Sequence, residues 1–133
     1  MSRGQMAEFL LVHGSCHGAW CWKRVIPFLE SNGHKVQAID LPGHGNDQTP
    51  VQKVTLDAYA EAIAQACGQN TQLVGHSMGG YAIAAAARLV PEKIAKLIYL
   101  CAYVPREGCH WLKCVCRRPD SRFCPQSECA PMG

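Results

Sequence analysis

The chain has 133 residues, of which 48% are hydrophobic and 17% charged, and its formal net charge is +3. These figures predict one globular domain with a modest core and argue against the strongly basic surface typical of nucleic-acid binding. The apolar run at residues 9–12 is too short for a signal-peptide core or a membrane span. We therefore expect a cytoplasmic protein with neither nucleic-acid nor membrane partners.

Short apolar runs alternate with stretches of helical periodicity over the first 107 residues. The runs predict strands at residues 8–13, 35–39, 72–75 and 96–103. The periodic stretches predict three main helices, at residues 20–31, 55–67 and 78–90. Pro27 indicates a kink or a late start in the first of these helices. This alternation predicts an α/β fold, a parallel sheet of about four strands with flanking helices.

The most informative stretch runs from Leu73 to Gly80 and reads LVGHSMGG. An apolar strand enters it, an alanine-rich helix leaves it, and a serine flanked by glycines stands at the corner. This is the G-x-S-x-G pattern in the strand–turn–helix context of a nucleophile elbow, where side chains in place of the glycines would collide with neighbouring elements. We expect the Ser77 hydroxyl to project from the sheet at a helix N-terminus, where the dipole favours a developing oxyanion.

Two further motifs precede this elbow. The first strand runs into HGSCHGAWCW at residues 13–22, and the second runs into DLPGHG at residues 40–45. Together with the elbow, these motifs resemble three successive landmarks of the α/β-hydrolase superfamily, and most closely its branch of small esterases and hydroxynitrile lyases. The resemblance covers about residues 8–107 and implies the α/β-hydrolase fold in a truncated form.

The resemblance implies a role for each residue that matches a motif. Ser77 matches the nucleophile, and the backbone N–H groups of Ser15 and Met78 match the two oxyanion donors. Gly14 and His76 adjoin these groups, and we expect them to contribute to substrate binding. We expect neither a metal ion nor a cofactor.

The catalytic base and acid are harder to assign. The superfamily supplies its aspartate and its histidine late in the chain, in the order Ser, Asp, His. After Ser77 this sequence has one histidine, His110, and one aspartate, Asp120. These two residues are the remaining candidates for the base and the acid, although neither follows a strand-like run.

Residues 108–133 do not look like the superfamily. Five of the nine cysteines fall there, at positions 109, 114, 116, 124 and 129. Their spacing matches no paired C-x₂-C zinc motif, so we expect free thiols rather than a metal site. We therefore divide the chain into a partial α/β-hydrolase domain, residues 1–107, and a cysteine-rich tail that is either disordered or derived from another reading frame.

The three motifs predict a serine hydrolase that acts on carboxylic esters through an acyl-enzyme. We expect the activity to be weak, because the acid and the histidine of the family are not identified. Two alternatives stay open: a hydroxynitrile lyase-like enzyme, and a catalytically silent fragment of a hydrolase. The expected partner is a small-molecule ester.

The last predicted strand, residues 96–103, is a continuous apolar run typical of a strand buried on both faces. With no further strand beside it, this strand would form an exposed edge of the sheet. Long apolar edges pair with other copies of the same strand. We therefore expect self-association through residues 96–103.

Overall fold

A computed structural model describes residues 4–105. Its four strands are β1 (Glu8–Val12), β2 (Lys35–Ile39), β3 (Thr71–His76) and β4 (Ile94–Leu100). They pair in parallel in the order β2-β1-β3-β4. The connections carry α1 (Ile26–Ser31), α2 (Leu56–Ala66) and α3 (Gly79–Leu89), together with short 3₁₀ turns at Ala19–Trp22, Val51–Lys53 and Pro91–Lys93. The predicted α/β fold, with four parallel strands and three main helices, is confirmed.

Helix boundaries follow the local chemistry of their first residues. The helix predicted from residue 20 begins only at Ile26, because Pro27 has no backbone N–H to donate and fits the first turn of a helix. The apolar residues before it form a separate 3₁₀ turn, Ala19–Trp22. Helix α2 is capped by Thr55, whose Oγ1 accepts a hydrogen bond from the Ala58 N–H at 3.0 Å. Within the described part of the chain, no helix has the length and apolar character needed to cross a bilayer.

The sheet buries apolar side chains on both faces. One face of β1 and β3 packs against α2 and α3 in a cluster that includes Leu10, Leu73, Ile63 and Ile83. The other face packs against α1 and the preceding 3₁₀ turn, where Trp22 is the largest buried side chain. The carboxyl ends of the parallel strands lie side by side at one edge of this well-packed sheet. Ligands bind at that edge in folds of this type.

Strand β4 differs from its predicted form. It begins two residues earlier than predicted and ends at Leu100, because Cys101 takes up a left-handed conformation with φ of 44°. Leu97 packs against the α2–α3 side of the core, whereas Ile98 on the opposite face is 36% exposed and Leu100 is 47% exposed. Burial on both faces was the wrong prediction for the described residues, since the apolar cluster on that side of the sheet contains residues of β1, β2 and β3 but none of β4.

Candidate active site

The corner at Ser77 has the backbone of a sharp strand-to-helix turn. Ser77 has φ of 53°, a left-handed value that is rare for residues with a Cβ. Its carbonyl oxygen accepts hydrogen bonds from the N–H groups of Gly80 and Tyr103, both at 3.1 Å. The strained residue is thus held between the first turn of α3 and the segment that follows β4, as is typical of strain kept at functional positions.

The glycines beside Ser77 are required by close backbone contacts. A Cβ at Gly75 would lie 2.7 Å from the Gly79 carbonyl oxygen, and a Cβ at Gly79 would lie 2.8 Å from the His13 carbonyl oxygen. These distances are shorter than any real Cβ contact, so β1, β3 and α3 could not approach this closely with larger residues. The steric reason predicted for the two glycines is confirmed.

The loop after β1 lies directly against the elbow. A Cβ at Gly14 would sit 2.9 Å from the Ser77 Cβ, 3.0 Å from the His76 carbonyl oxygen and 3.4 Å from His76 Nδ1. Gly14 itself is buried, whereas the next residue, Ser15, is exposed. Met78 is the residue that precedes the first turn of α3. The structure therefore brings Gly14 and its neighbour Ser15 to the same corner as His76, Ser77 and Met78.

His13 is fully buried at the end of β1, and both of its ring nitrogens have partners. Nε2 accepts a hydrogen bond from the Leu41 N–H at 3.0 Å, so the ring proton is on Nδ1, which donates to the Gly14 carbonyl oxygen at 2.8 Å. Burial lowers the pKa of His13 below its usual value of 6.5. A neutral ring with no free nitrogen cannot act as the base for Ser77, so His13 is structural.

His17 and His44 also bind backbone groups of their own loops. His17 donates from Nδ1 to the Ser15 carbonyl oxygen at 2.6 Å, and its ring stacks on Trp20 at a centroid distance of 5.5 Å. The Nδ1 atom of His44 is 3.1 Å from the Pro42 carbonyl oxygen, within the loop after β2. None of the five histidines in residues 4–105 hydrogen-bonds to Ser77.

His110 and Asp120, the sequence-based candidates for base and acid, lie outside the described residues. Within residues 4–105, no group of three or more histidine, cysteine, aspartate or glutamate side chains is arranged to hold a metal ion. The described part of the site therefore consists of the serine, its helix and the loop after β1.

Asp40 has a role that the sequence did not predict. It is the first residue of the DLPGHG motif, to which the sequence assigned no specific function, yet its carboxylate accepts hydrogen bonds from two loops. Oδ1 binds the Ala19 N–H at 2.8 Å and Oδ2 binds the Asn46 N–H at 3.1 Å. The available signal was its position, directly after a strand and beside the glycine-rich turn at residues 42–45, where unpaired backbone N–H groups need acceptors.

Parallel strands joined by helices, with a left-handed serine between the third strand and its helix, define the architecture of an α/β hydrolase. Comparison with known proteins agrees. A family model described as the alpha/beta hydrolase family matches residues 9–125. The chain is 43% identical over 105 residues to methylesterase 1 of Arabidopsis thaliana, a match that covers 74% of this chain and 40% of that protein. It is 39% identical over 117 residues to esterase PIR7B of Oryza sativa subsp. japonica, covering 83% and 44%.

Solved structures give the same result. The crystal structure of a polyneuridine aldehyde esterase variant has a TM-score of 0.76 and 32% identity, over 92% of this chain and 50% of that one. A methylesterase from Arabidopsis has a TM-score of 0.70 and 32% identity, over 78% and 47%. The chain belongs to the alpha/beta hydrolase family. It spans less than half the length of the two curated relatives described above.

Proposed function

We propose that this chain carries the nucleophile and the oxyanion hole of a serine carboxylesterase for small esters. The observation that supports the proposal is the close approach of Gly14 to Ser77, where a Cβ at residue 14 would lie 2.9 Å from the serine Cβ. The Ser15 N–H follows Gly14 directly in the chain, and we propose that it points to the oxyanion formed at Ser77. The left-handed backbone of Ser77 at the start of α3 supports the same role.

The chemistry that we propose is acyl transfer. The Ser77 Oγ attacks the ester carbonyl carbon, and the π electron pair of the carbonyl moves onto its oxygen. The N–H groups of Ser15 and Met78 donate hydrogen bonds to that oxyanion, an interaction worth about 10²- to 10³-fold in rate per donor. Collapse of the intermediate releases the alcohol, which takes up a proton, and leaves an acyl-enzyme. Water then attacks the acyl-enzyme, releases the carboxylic acid and restores the serine hydroxyl.

The base that accepts the Ser77 proton is the open part of this proposal. A serine hydroxyl without a base is a weak nucleophile, and removal of the histidine from a comparable triad costs on the order of 10⁶ in kcat. The oxyanion hole and substrate binding alone still give roughly 10³- to 10⁴-fold over water. We therefore propose slow turnover for the 133-residue chain, with His110 and Asp120 as the candidates within it for the proton-transfer pair.

The substrate class that we propose is methyl esters of small carboxylic acids. Similar proteins are named methylesterase 1 in Arabidopsis thaliana and methyl jasmonate esterase 1 in Vitis vinifera. A methyl ester has a small leaving alcohol, which suits a serine placed in a tight corner beside Gly14.

Hydrolysis of p-nitrophenyl acetate and of a methyl ester, measured with the full chain and with Ser77→Ala, tests this function. We expect slow release of product that Ser77→Ala abolishes. His110→Ala and Asp120→Ala would each reduce the rate further if these residues form the proton-transfer pair, and Asp57→Ala, an exposed carboxylate on α2, is the matched control. Cleavage of a cyanohydrin in place of the esters would favour the lyase alternative, and no reaction with either class would favour a silent chain.

A further inference from the structure

The loops after β1 and β2 are joined by hydrogen bonds that run in both directions. The His13 side chain, at the end of β1, accepts from the backbone N–H of Leu41 in the β2 loop. The Asp40 side chain, at the end of β2, accepts from the backbone N–H of Ala19 in the β1 loop. Each strand end therefore supplies a side chain that binds the backbone of the other loop.

These bonds act on both ends of the turn that carries Ser15. His13 holds the turn at its start through Gly14, and Asp40 holds it at its end through Ala19, at 2.8 Å in each case. His17 adds a third bond inside the turn, from its Nδ1 to the Ser15 carbonyl oxygen.

The bond from His13 fixes the direction of the oxyanion donor itself. The Gly14 carbonyl and the Ser15 N–H belong to the same peptide group, which is planar and trans, so the two groups point in opposite directions. By holding the Gly14 carbonyl at 2.8 Å, the His13 ring sets the plane of that peptide and thus the direction of the Ser15 N–H.

Close packing removes the remaining freedom of the turn. At the start of the turn, the Gly14 position lies against Ser77, with 2.9 Å between a Cβ placed there and the serine Cβ. At its end, a Cβ at Gly18 would lie 2.9 Å from Asp40 Oδ1. The turn thus contacts the nucleophile at one end and a carboxylate at the other, and a shift that separates its end from Asp40 would lose the hydrogen bond from the Ala19 N–H.

We propose that His13 and Asp40 are positioning residues. They hold the Ser15 N–H where it can donate to the oxyanion that forms when the Ser77 hydroxyl attacks the ester. The catalytic part of this inference rests on the function proposed above, in which Ser15 donates to the oxyanion. Displacement of an oxyanion donor reduces the stabilisation of the transition state more than it reduces the affinity for the ester. Loss of either residue therefore lowers kcat and leaves KM nearly unchanged.

Asp47 provides a matched control for Asp40. Its Oδ1 atom also accepts two backbone hydrogen bonds, from Gly43 at 2.9 Å and from Thr49 at 2.8 Å. Both aspartates therefore brace the loop after β2, but only Asp40 also binds the β1 loop. A comparison of Asp40→Ala with Asp47→Ala separates a general loss of loop order from a specific effect on the Ser15 turn.

Hydrogen exchange of the full chain, followed by mass spectrometry, tests the structural half of the inference. We expect Asp40→Ala to speed exchange at least tenfold in peptides that cover residues 14–22, and Asp47→Ala to leave those peptides unchanged. Asp40→Asn, which keeps one carbonyl oxygen and the side-chain volume, should lie between the two. Equal exchange in Asp40→Ala and the unsubstituted chain would overturn the inference.

Ester hydrolysis tests the catalytic half. We expect kcat to fall between tenfold and a few hundredfold in His13→Asn and in Asp40→Ala, with KM within twofold and partial recovery in Asp40→Asn. A fall of the same size in Asp47→Ala, or an unchanged kcat in Asp40→Ala, would contradict the positioning role. If the unsubstituted chain shows no activity that depends on Ser77, the proposed function fails, while hydrogen exchange still decides whether the turn is held by Asp40.

Discussion

Gly14 and Ser77 are in contact just beyond the carboxyl ends of the paired strands β1 and β3, and a Cβ at residue 14 would lie 2.9 Å from the serine Cβ. Gly14→Ala must therefore move either the turn or the elbow. We expect a loss of about 1–3 kcal/mol in the free energy of unfolding, as for other overpacked sites, and a fall in esterase rate of about tenfold or more.

Urea unfolding and p-nitrophenyl acetate hydrolysis would measure the two effects of Gly14→Ala. Gly4→Ala is the matched control, because nothing lies within 4 Å of a Cβ at Gly4. Wild-type stability and rate in Gly14→Ala would show that the turn does not press on Ser77 in the way described.

The left-handed backbone of Ser77 predicts an unusual order of stability among its variants. A residue with a Cβ costs roughly 1–2 kcal/mol in this conformation, and the greater freedom of unfolded glycine offsets about 0.4–1 kcal/mol of the relief. Ser77→Gly should therefore be more stable than Ser77→Ala by about 0.5–1 kcal/mol, the difference between these two effects.

Chemical denaturation of the two Ser77 variants would test that order. The comparison at a regular helical position is Ala62→Gly in α2, where glycine should instead destabilise the chain by about 0.5–1 kcal/mol. A less stable glycine variant at both positions would be inconsistent with a strained serine.

Burial of His13 predicts a loss of stability in acid. Its pKa is lowered in the folded chain mainly by desolvation; charges on His44 and His17 lower it further, whereas Asp40 and the bond to Gly14 oppose the shift. The unfolded histidine therefore binds a proton at a higher pH than the folded one. The contribution is fully present above about pH 6.5 and is lost as the pH falls towards the lowered value, by up to about 1.4 kcal/mol per pH unit for one proton.

Two-dimensional NMR of the histidine rings would measure the His13 titration directly. We expect one ring that carries a single proton, on Nδ1, at pH 7 and above, since Nε2 accepts from Leu41, and we expect its titration midpoint to lie below 6.5. A midpoint at or above 6.5 would contradict the effect of burial.

The exposed face of β4 predicts self-association. Ile98 and Leu100 project from one face of the last strand of the described sheet and are 36% and 47% exposed. We propose that a second copy covers this strand, since unpaired backbone groups and exposed apolar side chains at an edge favour pairing.

Sedimentation should show dimers or larger species for the full chain, and Ile98→Lys should shift the distribution towards monomer. Val51→Lys, which changes an exposed apolar residue in the loop before α2, is the control; monomers at high concentration would refute the proposal.

Most of the sheet could be predicted from the sequence because its signals are local. The second strand was predicted with the observed bounds, Lys35–Ile39, and the cap at Thr55 fixes the start of α2. The first helix and β4 were less accurate for physical reasons. Pro27 delays the start of α1, and the left-handed Cys101 ends β4 before the apolar run is complete.

The candidate site was predictable where a motif carries it and not where contacts cross between loops. The positions of Ser77 and its glycines could be predicted from the G-x-S-x-G pattern, because a sharp strand-to-helix turn requires small residues at those places. The role of Asp40 depends on the distance between two loops that are far apart in sequence. The spacing of apolar residues predicts helices and strands but does not predict that distance. The same holds for the His13 ring, whose partner Leu41 is 28 positions away.

The role of Ser77 as the nucleophile is tested most directly by locating the residue that reacts with a fluorophosphonate probe. The full chain is treated with the probe, digested and analysed by mass spectrometry beside Ser77→Ala. We expect a single modification on the peptide that contains Ser77, and none in the variant. Modification of another residue, or labelling that survives in Ser77→Ala, would contradict the claim that this strained serine is the nucleophile.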